Sequence, residues 1–120
     1  MRLDIHTHRF TLTDALRCHV QRRLNLALNS GDDQILRIVI RLSDINGPRG
    51  GADKRCQIQV VLANVPDVII RETQADLYAA IDRATDRAGR AVHRRLARQR
   101  SRRRAAPMAE HPSTGDPIPD

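Results

Sequence analysis

The sequence predicts an α+β fold of two layers, a four-stranded sheet with two helices on one face, in the order β-α-β-β-β-α. Three observations predict it. Apolar and polar residues alternate in several short runs, as they do in half-buried strands. In two other stretches apolar residues recur every three or four positions along one side only, as in a helix packed on one face. Between these runs stand Gly, Pro, Asn and Asp, the residues that punctuate chains through their backbone preferences. With 120 residues there is room for one domain, and a chain of that size buries roughly 65% of its unfolded surface without metal or disulfide.

The first strand places Leu3, Ile5 and Thr7 on one side and Arg2, Asp4, His6 and His8 on the other. Thr11-Leu12-Thr13-Asp14 then opens a helix, with either Thr as N-cap and Asp14 in the first turn. Leu16, Val20, Leu24 and Ala27 form its apolar side, and Asn29-Ser30-Gly31 is expected to end it in the left-handed conformation. From Ile35 to Ser43 the alternation returns: Leu36, Ile38, Ile40 and Leu42 face one way, Ile35, Arg37, Val39, Arg41 and Ser43 the other. A matching strand runs from Lys54 to Ala63 with Cys56, Ile58, Val60 and Leu62 inward. The Gly-rich stretch between them, Asp44 to Asp53, reads as the loop of a long hairpin. After the turn Asn64-Val65-Pro66-Asp67, a fourth strand covers Val68 to Glu72. A long helix follows, starting near Thr73 or Asp76, where Thr73-Gln74-Ala75-Asp76 fits a short capping pattern. Its apolar stripe is Leu77, Ile81, Ala84, Ala88, Ala91 and Val92. Past Val92 arginines surround the axis, so the helix is expected to project beyond the sheet or fray. Residues 1–104 thus make the domain. Residues 105–120, with four prolines and three carboxylates, read as a disordered, mildly acidic tail.

The formal net charge is +7, and the basic residues are almost all arginine. Such a balance points to a polyanion, nucleic acid before an acidic membrane surface. Arginine suits phosphate, because its planar fork pairs bidentately. Aromatic content is only 2%, Phe10 and Tyr78 with no Trp. A basic chain without rings on which bases can stack reads phosphates and the shape of folded RNA rather than single strands. Cys18 and Cys56 form neither a disulfide framework nor a CxxC motif. The start Met1-Arg2-Leu3-Asp4 has no apolar run of a signal peptide, and no stretch approaches the length of a membrane span. A cytoplasmic location with reduced thiols is expected.

The strongest candidate site is the final helix. From Asp82 to Arg104 ten arginines stand against two acids. At about 100° per residue, Arg83, Arg87, Arg90, Arg94 and Arg98 gather in one stripe roughly opposite the apolar one. An ordinary solvated helix face mixes signs, whereas this one does not, so polyanion binding is the better reading. Asp82 and Asp86 lie one turn apart, but Asp86 precedes Arg90 by four residues, the order of a helical ion pair. No Ser, His or Lys completes a catalytic constellation, so no enzyme is predicted. His6 and His8 share a strand face without a recognisable third ligand and read as exposed histidines, so neither metal nor cofactor is expected. Cys56 is expected in the core and Cys18 partly covered. The loop Gly47-Pro48-Arg49-Gly50-Gly51 lacks the Lys-Ser/Thr ending of a phosphate loop; it is either a plain connector or a mobile tip touching RNA backbone.

The segment Asp76-Leu77-Tyr78-Ala79-Ala80-Ile81-Asp82, which follows a strand and opens a basic helix, resembles the signature of the bacterial ribosome hibernation-promoting and ribosome-associated inhibitor family, formerly described as sigma-54 modulation proteins. Leu3 and Ile5, then Thr13-Asp14-Ala15-Leu16-Arg17 and Val20, look like its first strand and helix, and the similarity spans residues 1–104. The resemblance implies a β-α-β-β-β-α fold similar to double-stranded RNA-binding domains. It also implies binding to the small ribosomal subunit through rRNA in the mRNA and tRNA channel, with translation inhibited by occupancy. Carried over position by position, it places RNA contacts at Arg17, Arg23, Arg87, Arg90, Arg94 and Arg98, and Arg22 and Arg83 extend the same surfaces. Tyr78 belongs to the signature, with packing at the helix start as its simplest role. The chain departs from short members in its longer hairpin loop at 46–53, and from long members in lacking a second, dimerising domain. The expected protein is a monomer off the ribosome. Alternative readings are a structured-RNA binder acting outside the ribosome and a protein-interaction regulator.

Overall fold

The computed structural model describes residues 2–9, 11–45 and 53–105, and of residues 30–32 and 103–105 the backbone alone. The elements are β1 (Arg2–His8), α1 (Asp14–Leu28), a 3-10 helix (Asn29–Gln34), β2 (Ile35–Asp44), β3 (Lys54–Leu62), β4 (Val68–Gln74) and α2 (Leu77–Ala105). The expected order and two-layer architecture hold. The strands lie side by side as β1-β2-β3-β4. β1 runs parallel to β2, and the other two pairings are antiparallel. A parallel pair needs a crossover of a dozen or more residues, and α1 supplies it.

One core sits between the sheet and the helices. Leu16, Val20, Leu24 and Leu28 of α1 and Ala80, Ile81, Ala84, Ala88, Val92 and Leu96 of α2 pack on Ile38, Ile40, Leu42, Cys56, Ile58, Val60, Leu62 and Val68. Burying a large aliphatic side chain is worth about 1.5–3 kcal/mol, so this shared apolar face positions both helices on the same side. Ala27 is only partly buried and Leu28 completes the α1 stripe instead. Gly89 lets the helices approach closely: a Cβ there would lie 2.8 Å from the Ala27 carbonyl oxygen.

Local expectations for Leu36, Asn29, Thr73 and Cys18 are corrected, and the open choice of cap for α1 is resolved. Leu36 does not join Ile38, Ile40 and Leu42: the register slips between Ile35 and Arg37, leaving Ile35 buried and Leu36 56% exposed. A bulge shifts the alternation by one residue, which periodicity alone cannot show. Asn29 is right-handed (φ −56°, ψ −40°), so α1 runs on into the 3-10 helix rather than stopping in a left-handed cap. Thr13 rather than Thr11 caps α1, its Oγ1 accepting from the Leu16 N–H at 3.1 Å. At the other helix, Thr73 does not cap α2; it is paired with Arg55 within β4, and the Asp76 carboxylate accepts from the Tyr78 N–H. Cys18 is exposed rather than partly covered, and Cys56 is buried as expected.

α2 continues as helix to Ala105, about 43 Å at 1.5 Å per residue. Its last buried residue is Gln99, and Arg100 to Arg102 are exposed, so its end projects as foreseen. The hairpin residues 46–52 and the tail 106–120 lie outside the described residues; Ala105, assigned to the tail from sequence, ends α2. Among the described residues no helix is long and apolar enough to cross a membrane.

Candidate nucleic-acid interface

The seam between the helices is built from complementary charges. His19 Nε2 lies 2.7 Å from Asp82 Oδ1. Arg23 reaches across to both acids, its Nε 3.2 Å from Asp82 and one Nη 2.9 Å from Asp86. The Tyr78 ring meets His19 edge-on with centroids 4.7 Å apart. The run Tyr78–His19–Asp82–Arg23–Asp86 therefore crosses from α2 to α1 and back. Asp86 makes its recorded ion pair with Arg23 of α1, in place of the Asp86–Arg90 helical pair read from spacing. This distinction matters for the site, because the acids are spent along the seam and leave Arg90 uncompensated.

The candidate arginines divide accordingly. Arg17 and Arg22 are exposed on α1, and Arg83, Arg90 and Arg94 are exposed on α2. Arg98 is exposed one turn further on and has a partner within the described residues. Arg87, also exposed, donates to the Arg71 carbonyl at 2.9 Å and pairs with Glu72, which fastens α2 to β4. Arg23, with 28% of its side chain exposed, is held in the seam. Seven of the eight are thus exposed, Arg23 being the exception, while Arg23 and Arg87 also hold elements together. From Arg83 to Arg98 the stripe runs about 22 Å along α2, with neighbours three or four residues apart as on any one helix face.

Two hollows flank Arg90. One, of about 370 Å³, is lined by Glu72, Arg83, Asp86, Arg87 and Arg90. The other, of about 350 Å³, lies between the helices among Leu26, Ala27, Asp86, Gly89, Arg90 and His93. Both open on the basic surface. A planar guanidinium at such an edge offers paired N–H donors to phosphate oxygens. Nothing in the arrangement poises a nucleophile. Burial pushes the Cys56 thiol up to about 12, with the Glu72 carboxylate adding to the effect, so it stays protonated and inert. Among the described residues no three His, Cys, Asp or Glu side chains are grouped to hold a metal ion.

Sequence reasoning missed the seam. His19 carries no local signal, and its partner Asp82 lies 63 positions away, a distance that no local periodicity spans. It missed Arg95 as well, whose guanidinium donates to the carbonyls of Pro66 and Asp67 at 2.7 and 2.9 Å and ties α2 to the turn before β4. The off-stripe position of Arg95 was the available signal.

Residues 3–100 match the family described as sigma 54 modulation protein / S30EA ribosomal protein. Among solved structures, the N-terminal domain of Protein Y from Thermus thermophilus is 35% identical, with a TM-score of 0.66 over 78% of this chain and 98% of that one. A ribosomal subunit interface protein from Coxiella burnetii shares the fold at 18% identity, with a TM-score of 0.69 over 81% of this chain and 99% of that one. No curated protein matches.

Proposed function

Since the chain belongs to the sigma 54 modulation protein / S30EA ribosomal protein family, we propose that it binds the small ribosomal subunit through rRNA and silences it by occupying the mRNA and tRNA channel. The observation that carries this reading is the uncompensated arginine surface of α1 and α2. Arg83, Arg90 and Arg94 stand exposed along α2 and Arg17 and Arg22 stand exposed on α1, while Asp82, Asp86 and Glu72 are taken up by Arg23 and Arg87. Arg23, Arg87 and Arg98 complete the surface, Arg23 and Arg87 chiefly by fixing the backbone that presents it. A rigid two-helix platform with fixed cations suits structured rRNA, whose phosphates are themselves fixed. The near absence of aromatic rings argues against single-stranded RNA.

The mechanism is steric and reversible. Phosphate contacts release counterions, with a log–log salt slope of roughly −0.7 to −0.9 per contact in simple nucleic acids. No bond is made or broken in ribosome or message. The protein acts in the cytoplasm as a monomer off the ribosome, with residues 1–104 carrying the binding surface.

The test is sedimentation of a lysate through a sucrose gradient, comparing the natural chain with the triple variant Arg83→Glu/Arg90→Glu/Arg94→Glu. Exposed substitutions of this kind change stability by only about 0.5 kcal/mol each, so the variant should stay folded. The natural chain should travel with small subunits and monosomes, and the variant should remain at the top. A folded triple variant that still co-sediments would refute the assignment. RNA binding without subunit association would instead favour a structured-RNA binder outside the ribosome. In cell-free translation, inhibition should be stoichiometric with ribosomes and be undone by a high-salt wash that leaves the rRNA intact.

A further inference from the structure

The sheet face turned away from the helices is also basic. Register places its outward residues in rows across the strands. Arg2 stands opposite Arg37; His6, Arg41, Gln57 and Arg71 form one row, and His8, Ser43, Arg55 and Thr73 the next. The acid in these rows is Asp4, and it is already engaged: Arg37 donates to it at 2.8 Å and Arg2 approaches within 3.7 Å. The Arg37 hydrogen bond holds its carboxyl below the usual carboxylate range. Asp67, in the turn before β4, reaches the same face and accepts from Gln59 at 2.7 Å, while the rows of His6 and His8 carry no acid.

Two features of this face make poor sense as plain solvated surface. Arg41 and Arg71 flank one Gln57, to which Arg71 donates at 2.8 Å, and the row that holds them contains no acid. Arg55 keeps a buried Nε without a hydrogen-bond partner, a state that costs about 1–3 kcal/mol for a polar group. Arg55 lines a hollow of about 270 Å³ together with His6, His8, Arg41, Ser43 and Gln57. A phosphate oxygen entering that hollow meets donors from three strands.

We propose that the open face of the sheet is a second RNA-backbone surface, centred on Arg41, Arg55 and Arg71, so that the domain grips two RNA segments on opposite sides. The ligand is phosphodiester backbone. No Phe, Tyr or Trp stands on these rows; their only rings are the small imidazoles of His6 and His8, so the face lacks the large stacking platforms with which sheet-based RNA readers hold bases. Neighbouring strands lie about 4.8 Å apart, which puts Arg41 on β2 and Arg71 on β4 about 10 Å from one another across the face. The inference stands apart from the ribosomal assignment, because it requires only two RNA segments and not a particular particle.

The test uses the full chain and two copies of one short RNA duplex, one carrying a donor fluorophore and the other an acceptor. The natural protein should bring the two together and give energy transfer. Arg41→Gln/Arg71→Gln, both exposed positions, should abolish the transfer while binding of a single duplex persists through the helix face. Loss of two phosphate contacts should weaken total RNA affinity by about tenfold near physiological salt and flatten the log–log salt slope by roughly 1.4–1.8. A misfolded protein would not give that slope change at an unaltered melting temperature, and Arg41→Glu/Arg71→Glu should deepen the effect. Unchanged transfer and unchanged slope in folded variants would overturn the proposal. If the α2 triple variant binds RNA normally while the sheet variants do not, the helix-face assignment fails and this one stands.

Discussion

Gly89 offers a direct test of how the helices are held. In an exposed helix interior Ala is better than Gly by about 1 kcal/mol, so Gly89→Ala would stabilise the protein if nothing lay opposite. The new Cβ, however, would sit 2.8 Å from the Ala27 carbonyl oxygen, 3.2 Å from the Ala27 Cβ and 3.4 Å from its carbonyl carbon. These are chiefly backbone atoms of a neighbouring helix, so no side-chain rotation relieves the clash and α1 must move. Overpacking of this sort costs typically ~1–3 kcal/mol. Set against the propensity gain, the net loss is up to about 2 kcal/mol, and at ~4–8 °C per kcal/mol for a small domain the melting temperature should fall by up to about 16 °C. Ala97, exposed on the same helix, supplies the control: Ala97→Gly measures the propensity difference where no helix faces it. Thermal unfolding followed by circular dichroism compares the two. If Gly89→Ala raises the melting temperature by as much as Ala97→Gly lowers it, the close approach carries no packing constraint and the argument is wrong.

Three further outcomes follow from the same geometry. Asp82→Ala leaves His19 without its hydrogen-bond partner and Arg23 without one of its two ion-pair partners; because the carboxylate is 42% exposed, the cost should be modest, about 0.5–1 kcal/mol, and equilibrium urea unfolding measures it. Thr13→Ala removes the N-cap bond to the Leu16 N–H and should cost about 1 kcal/mol; no change would mean that water replaces the cap fully. In a thiol-reagent assay at pH 8 the native protein should expose one reactive cysteine, Cys18, and two only after denaturation. The buried Cys56 thiol stays protonated until about pH 12. The unfolded thiol ionises near 9, so this group's contribution to stability is complete below pH 9 and falls as pH rises from there toward 12. Rapid native labelling of both cysteines would contradict the burial.

The element order was legible because each element carries its own period and its own stop. Cys56, Ile58, Val60 and Leu62 alternate without interruption and are all buried, and the apolar stripe of α2 lies where its spacing put it. What escaped lies where a tertiary contact overrules the local pattern. The bulge beside Leu36 inverts one residue's side because the β2–β3 register, not the β2 sequence, decides which residue is left unpaired. Thr73 has the chemistry of a cap, but pairing with Arg55 extends β4 past it. The helix-face arginines were legible as a stripe, since a stripe is a local property. Their division into exposed cations and bridges was not, because Arg23 and Arg87 find their acids on other elements.

The distribution of acids then explains how so cationic a domain stays folded. Asp82 and Asp86 receive Arg23, Glu72 receives Arg87, and Asp4 receives Arg37. Each pair either joins two elements or steadies an edge. Charge complementarity is thus concentrated at the seams, where it also fixes geometry, while uncompensated guanidinium groups are pushed to the two outer faces. Surface ion pairs of this exposure are worth little individually, so their effect is mainly to set the direction and spacing of the remaining arginines. Exposed cations held at fixed spacing lose less conformational freedom on meeting phosphate than free side chains would. The arrangement that limits self-repulsion in the free protein is therefore the same one that leaves cationic groups on both faces, as the two proposed RNA surfaces require.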